Sequence, residues 1–301
     1  MAFHDTFPAH HSVDFAARAV RGGMTVIGNL VDNRQIYKIP KPDGTDLTNG
    51  DIAVDDHMHD AYVFDDVIIR SEERQPFPVP RPDAPRPILY FDQDPNDGTT
   101  NFWEAYEKSI ATGEPMITGA MTSVGATYEG EIQPHWAVVG GQFLRDGPRL
   151  YVAERGSEAY YRNLKTGEKR VLTPDASGEG KKVVMVASEN SRRKFGDKLM
   201  KAGFDVALNK TSVANMLAVC DPTLIEQFRP DLKNRVIGGA VLESCHDWDI
   251  AGVLPFAEAT GRKATGKTGD VRRIGLDERG GVVTDTEETH ERVMDVIRRA
   301  A

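Results

Sequence analysis

Apolar positions along the chain switch between a period near 3.6 and a period of two, and the switches divide it into elements. Phe15, Ala16, Val20 and Met24 recur at helical spacing, which predicts a helix over 11–32. A second helix is expected over 51–62, and the β-branched run Val67-Ile68-Ile69 reads as a strand. The proline-rich stretch 76–87 reads as a loop. Residues 86–91 are apolar and aromatic, so a buried strand is expected there, delivering Asp94 and Asp97 on the turn at its end. Phe102, Trp103 and Tyr106 then share one face of a helix. Residues 117–172 suggest antiparallel strands, with turns at Glu129-Gly130, Asp146-Gly147 and Thr166-Gly167. From Val183 onward strands and helices alternate: strands at 183–187, around Val206 and at 238–242, with helices at 192–202, 211–218, 248–259 and 287–299. The glycine-bearing stretch 175–182 reads as a joint between a half 1–178 and a half 179–301. No internal repeat is visible.

Composition narrows the function classes. At 301 residues the chain has the length for a large core, and 40% hydrophobic with 28% charged residues is ordinary for a soluble globular protein. The apolar runs are too short to span a bilayer, so no membrane role is expected. Residues 1–20 lack the uninterrupted apolar stretch of a signal peptide, and with two cysteines, Cys220 and Cys245, the reading is a cytoplasmic protein without a disulfide framework. A net charge of −9 speaks against a nucleic acid polymer as partner. Bound cations can reverse a local field, so the acidic balance leaves phosphate chemistry open.

The densest chemistry lies in Asp94-Pro95-Asn96-Asp97-Gly98-Thr99-Thr100-Asn101-Phe102. Two carboxylates three positions apart are followed by a Gly-Thr-Thr step that opens a helix. Hard divalent cations take carboxylate oxygens, and phosphates take the free amides at a helix N-terminus. Further acids sit at Asp51, at Glu72-Glu73 and at Asp249. Each has a bland reading by itself: Asp51 or Asp249 as a helix cap, Glu72-Glu73 as a solvated strand end. A capped turn explains one aspartate of the nonapeptide but not the whole string, and carboxylates packed together without a cation would repel one another.

This string resembles the signature of the inositol monophosphatase family, Mg²⁺-dependent, lithium-sensitive phosphomonoesterases whose superfamily also holds fructose-bisphosphatases and 3′-phosphonucleotide phosphatases. The resemblance extends to Lys41-Pro42-Asp43-Gly44-Thr45 leading into Thr48-Asn49-Gly50-Asp51, to Val67–Ser71 ending in Glu72-Glu73, and to His246-Asp247-Trp248-Asp249-Ile250-Ala251-Gly252. It covers roughly residues 40 to 298, with weaker echoes at 153–160 and 211–216. It implies an α+β / α/β fold, a layered αβαβα sandwich of the sugar-phosphatase type. It implies two or three Mg²⁺ ions, with Mn²⁺ as a possible substitute. Asp94 would bridge two of them, joined on one by Glu72 and the Asn96 carbonyl and on the other by Asp97 and Asp249. Asp51 and Glu72 would hold a looser third. Glu72 with the Thr99 hydroxyl would activate water, and the Gly98 and Thr99 amides, with Thr100, would hold phosphate. Ser212 and Glu243 are the expected substrate contacts. The partner implied is a small phosphorylated substrate, and the expected assembly is a homodimer.

The chain departs from the family pattern in places. Asn96 stands where the family usually has an apolar residue, which a backbone ligand tolerates. Lys210-Thr211-Ser212 replaces a glycine-led substrate segment, Leu242 occupies the position of the polyol-binding acid with Glu243 one step off, and the region 223–234 is longer by about ten residues. Those departures leave the ester open between an inositol monophosphate or similar polyol or sugar phosphate and, as an alternative, a 3′(2′),5′-bisphosphate nucleotide or a fructose-1,6-bisphosphate-like substrate. A non-catalytic binding module is a third reading. The rival motif Gly261-Arg262-Lys263-Ala264-Thr265-Gly266-Lys267-Thr268 matches a P-loop literally, but no helix start follows it, so it reads as a basic surface loop. In 55–60 the acids and histidines read as a solvated helix face, and His10-His11 reads as polar surface.

Overall fold

The structure is a computed structural model that describes residues 8–41, 45–74, 79–173, 181–243, 245–270 and 280–300. After a 3₁₀ turn at Ala9–His11 come α1 (Val13–Asp32) and α2 (Asn49–Ala61), each opened by a capping side chain, Ser12 and Thr48. The larger sheet follows in chain order: β1 (Val67–Ser71), β2 (Leu89–Asp97), β3 (Met121–Tyr128), β4 (Trp136–Gly141), β5 (Arg149–Glu154), β6 (Tyr160–Asn163) and β7 (Lys169–Val171). β1 runs parallel to β2, and every later pairing in this sheet is antiparallel. Between β2 and β3 lies α3 (Thr99–Thr112).

The second sheet has the order β11-β12-β10-β8-β9. It is built from β8 (Val183–Val186), β9 (Asp205–Leu208), β10 (Ile237–Leu242), β11 (Lys263–Thr265) and β12 (Gly281–Thr284). β8 is parallel to both β9 and β10, whereas β12 is antiparallel to its neighbours. The helices interleaved with these strands are α4 (Glu189–Lys201), α5 (Val213–Cys220), α6 (Pro222–Phe228), α7 (Asp247–Ala251), α8 (Leu254–Ala259) and α9 (Glu287–Arg298).

Period-two alternation sorts the side chains into layers. On β4, Trp136 and Val138 pack toward α1 and α2, while Ala137 and Val139 face the core filled by α5, α6 and α8. On β8, Val183 and Met185 enter that same central core, while Val184 and Val186 pack under α4 and α9. The order is therefore α1/α2, large sheet, α5–α8, small sheet, α4/α9, the expected αβαβα sandwich. Gly125 in β3 lets α7 lie directly on the large sheet, because a Cβ there would sit 2.3 Å from the Ala251 carbonyl oxygen.

Several local expectations change. β2 runs on through Asp97, so Asp94 and Asp97 lie within a strand rather than on a turn beyond it. The helix expected over 248–259 is two short helices, because Pro255 has no N–H to continue one and Val253 leaves the helical conformation. The P-loop match is not a surface loop: Lys263–Thr265 is the edge strand β11, Thr265 is buried, and the Lys267 ammonium donates to the Glu243 carbonyl oxygen at 2.6 Å. Strand β12 was not expected at all. His10-His11 is not polar surface, since His11 is buried and both rings contact Asp66. The expected boundary at 178, most of the joint 175–182, and Asp43-Gly44 lie outside the described residues. No helix among the described residues is long and apolar enough to cross a membrane.

Candidate metal centre

The end of β2 carries the centre. Its pairing with β3 slips between Asp94, opposite Ser123, and Asp97, opposite Met121, so the strand bulges over Pro95-Asn96. A bulge re-aims side chains, and here it brings both aspartates to one place. The Asn96 amide donates to Asp94 Oδ1 (3.0 Å) and fixes that carboxylate against its own backbone. Asp97 accepts from the Ser212 and Val213 amides (2.7 and 2.9 Å), so it caps α5 from across the inter-sheet layer. Asp249 is the third residue of α7 and accepts from the His246 amide (2.6 Å) in a capping box. One carboxylate oxygen from each of Asp94, Asp97 and Asp249 lies within 4.8 Å of the others.

Glu72 follows directly on β1, its amide donating to the Gln93 carbonyl of β2 (3.4 Å). Lys41 reaches both Glu72 and Glu73, at 3.2 and 3.0 Å. Burial alone would lower the Lys41 ammonium, but the two glutamates more than offset it and raise its pKa. Burial, then repulsion from Glu72, Asp97 and Asp249, holds the Asp94 carboxyl well above the usual range. Burial pushes Asp97 up to about 7 in spite of its amide donors, and burial with the neighbouring Glu72 pushes Glu73 up to about 7. Carboxylates drawn this close in a dry place favour either protons or a cation. The donors are all oxygen and come from β2, from the end of β1 and from α7, which fits a hard divalent ion.

Raised carboxyl pKa values make a prediction about stability. The folded protein, stripped of divalent cations, holds protons that the unfolded chain releases from about pH 4 upward. Their contribution is full below the unfolded values and is lost as pH rises through about 7 for Asp97 and Glu73. The melting temperature in EDTA should therefore fall by several degrees between pH 5 and pH 7.5, and added Mg²⁺ should restore it. Asp46 and Asp231, whose ion pairs hold them below the usual range, act in the opposite sense but only below about pH 4, while His11 and His290, lowered by burial, offset part of the fall below about pH 6.5. A melting temperature that is flat or rising over pH 5–7.5 would contradict the reading.

Beside the carboxylates, Thr99 opens α3. Its hydroxyl donates to Asp51 Oδ1 at 2.6 Å, with the Asn96 carbonyl oxygen at 3.1 Å. Asp51 is itself locked by the Thr48 amide (2.8 Å), the Thr48 hydroxyl and the Asn96 side-chain amide (3.3 Å). Burial raises the Asp51 pKa, and these donors work against that rise. Sequence reasoning paired the Thr99 hydroxyl with Glu72; the structure puts it on Asp51. Gly98 holds the left-handed turn that leads into α3 (φ 85°), and any Cβ there would lie 2.3 Å from Thr211 Cγ2. Gly98, Thr99 and Thr100, at the start of α3, line an open cleft of about 220 Å³.

That cleft is lined by Glu72, Asp94, Asn96, Asp97 and Asp249 and, opposite, by Gly98, Thr99, Thr100 and Ser212. The expected residues that come together are thus these nine, with Asp51 behind Thr99. Glu243 is not brought there: it does not line the cleft, and its carboxylate pairs with Lys194 at 2.7 Å. Residues missed by sequence reasoning are Lys41, which spans the glutamate pair, and Asp46, Lys210 and Thr211 in the cleft wall. Asp46 accepts from Lys38 (2.8 Å) and from the Thr100 hydroxyl (2.7 Å). The extra stretch 223–234 forms most of α6 and a 3₁₀ turn, Pro230–Leu232. Phe228, Arg229 and Pro230 line a second cavity of about 750 Å³. Asn101 and Asn209, bonded to each other at 3.1 Å, line it too, each next in sequence to a residue of the first cleft.

Comparison with known proteins places this geometry in a class of folds. No protein-family model and no curated protein matches the chain. Solved structures do. An inositol monophosphatase of Thermotoga maritima aligns over 96% of this chain and 97% of its own, with TM-score 0.67 and 18% identity. Inositol monophosphatase II of Staphylococcus aureus aligns over 95% and 93%, with TM-score 0.68 and 16% identity. An inositol monophosphatase/NADP phosphatase, complexed with NADP and Ca²⁺, aligns over 94% and 93%, with TM-score 0.65 and 19% identity. The chain has the inositol monophosphatase fold.

Proposed function

We propose that the protein is a Mg²⁺-dependent phosphomonoesterase that hydrolyses a small phosphorylated polyol or sugar, such as an inositol monophosphate. The observation that carries this reading is the convergence of Asp94, Asp97 and Asp249 within 4.8 Å, in a cleft that the first residues of α3 also line. Glu72, Asp94, Asp97, Asp249 and the Asn96 carbonyl would hold the cations. Cations bound there supply neutralisation of phosphoryl charge and an acidified water.

The chain's own groups do the rest. The Thr99 hydroxyl gives its proton to Asp51, so its oxygen lone pairs face the cleft and can accept a hydrogen bond from water. Asp51, held by Thr48 and Asn96, fixes that hydroxyl in one rotamer and offers a sink for a proton relayed through it. Glu72 provides a second acceptor on the same side, with the Lys41 ammonium 3.2 Å from its carboxylate. The Gly98 and Thr99 amides, at the positive end of a helix of 14 residues, orient phosphate oxygens. Ser212 and Thr211 form the facing wall, where the rest of the ester would lie.

A second reading, a bisphosphate phosphatase acting on a nucleotide or sugar, is favoured by the neighbouring cavity. Arg145 and Lys108 stand in that cavity with Asn101 and Asn209, giving room and charge for a larger anion. The likeness to a phosphatase with NADP bound points the same way. Phosphate release from inositol phosphates, hexose phosphates and bisphosphates, and 3′-phosphoadenosine 5′-phosphate decides between them. Release is expected with Mg²⁺, weaker release with Mn²⁺, inhibition by Li⁺ and none in EDTA. Equal release in EDTA, or none with any ester, would overturn the assignment.

A further inference from the structure

We infer that His10, His11 and Asp66 form a second cation site, built for a borderline transition-metal ion such as Zn²⁺ rather than for the hard ions of the carboxylate centre. His10 Nε2 lies 2.8 Å from Asp66 Oδ1 and His11 Nε2 lies 3.0 Å from Asp66 Oδ2. A ligand atom from each of the three residues falls within 4.8 Å of the others. Around a tetrahedral ion with bonds of roughly 2.0–2.2 Å, donor atoms stand about 3.3–3.6 Å apart. The two His–Asp separations are therefore only a few tenths of an ångström short of that spacing, and the remaining pair of donors lies within 4.8 Å. Two imidazoles and a carboxylate are a donor set that zinc uses, and nitrogen ligands discriminate against Mg²⁺.

The site is held ready by its surroundings. The His10 ring stacks on Phe64, with centroids 3.9 Å apart and planes 11° from parallel, and meets the His11 ring edge-on. The His11 carbonyl accepts from the indole N–H of Trp136 at 2.9 Å, which fixes the backbone of the 3₁₀ turn. Asp66 stands just before β1, and its carbonyl accepts from the Leu89 amide of β2 at 2.9 Å. His11 is buried, while the His10 side chain keeps 18% and Asp66 10% of its surface, enough for an ion to enter and retain a water. A bound ion would tie the segment ahead of α1 to the edge of the large sheet, across 56 residues of sequence.

The test is a Co²⁺ titration of the full chain without an affinity tag, in Mg²⁺ sufficient to fill the all-oxygen centre. One Co²⁺ per chain should bind with the intense visible bands of tetrahedral nitrogen ligation, and Zn²⁺ should displace it. His10→Ala should remove the bands while leaving Mg²⁺-dependent phosphate release unchanged. Because His10 is the most exposed of the three, that variant is the one least disturbing to the fold. Absence of tetrahedral bands in the unsubstituted protein, or bands that survive His10→Ala, would overturn the inference. Zn²⁺ should also raise the melting temperature of the unsubstituted protein and not that of the variant.

Discussion

Asp94→Asn should lower phosphate release by at least about 10³-fold at saturating Mg²⁺, because on the proposed reading several kcal/mol of charge stabilisation would depend on cations held by this carboxylate. The substitution is isosteric, and Asp94 is buried against the other acids, so the effect is one of charge. The same argument sets a second, opposite expectation. In EDTA near neutral pH the variant should melt no lower than the parent, and higher if repulsion dominates, since the cost of burying a titratable carboxyl beside Asp97 and Asp249 is gone. A merely structural aspartate would behave otherwise, losing stability and activity together. Retention of more than about a tenth of the activity would remove Asp94 from the centre.

Thr99→Ala should cost on the order of 10²-fold in kcat with KM little changed, the size expected for loss of a positioned proton-transfer group. The geometry is specific: the hydroxyl is 2.6 Å from a buried Asp51 that Thr48 and Asn96 hold in place. Thr99→Ser keeps the hydroxyl and should restore most of the rate. Asp51→Asn should resemble Thr99→Ala, because an amide cannot receive the relayed proton, and the double variant should be little worse than either. Additive losses in the double variant would mean that the two act separately, and a large rise in KM for Thr99→Ala would make the hydroxyl a substrate contact instead.

Much of this was legible in the sequence because the chemistry is local. Asp94, Asn96, Asp97, Gly98 and Thr99 lie within six positions, so one bulged strand and one helix start suffice to set them. The helical period of α1 and the short apolar run of β8 likewise survive in one dimension. What was hidden depends on partners distant in sequence. His11 looks polar until Asp66 and Trp136 close over it. Glu243 looks like a substrate contact until Lys194 takes its carboxylate. Strand β12 is four residues between glycines and a helix, too short for a period to show, and only β10 and β11 on either side define it. Thr99 could have been assigned to either acid, and the choice of Asp51 over Glu72 is made by the capping box that turns Asp51 back toward α3.

The segment 222–234 touches the chemistry only at a distance. Its base is set by Asp221, which caps α6 through the Thr223 amide (3.1 Å) and meets Arg149 (3.3 Å) and the Tyr151 hydroxyl (2.9 Å) inside the core. Its tip, Phe228 to Pro230, walls the larger cavity, and none of its residues lines the carboxylate cleft. Length and composition at that tip can consequently drift without disturbing a single oxygen of the cluster. On the phosphatase reading proposed above, a lineage carrying this fold could exchange one ester for another by editing a few codons there, while the carboxylate cluster is inherited untouched.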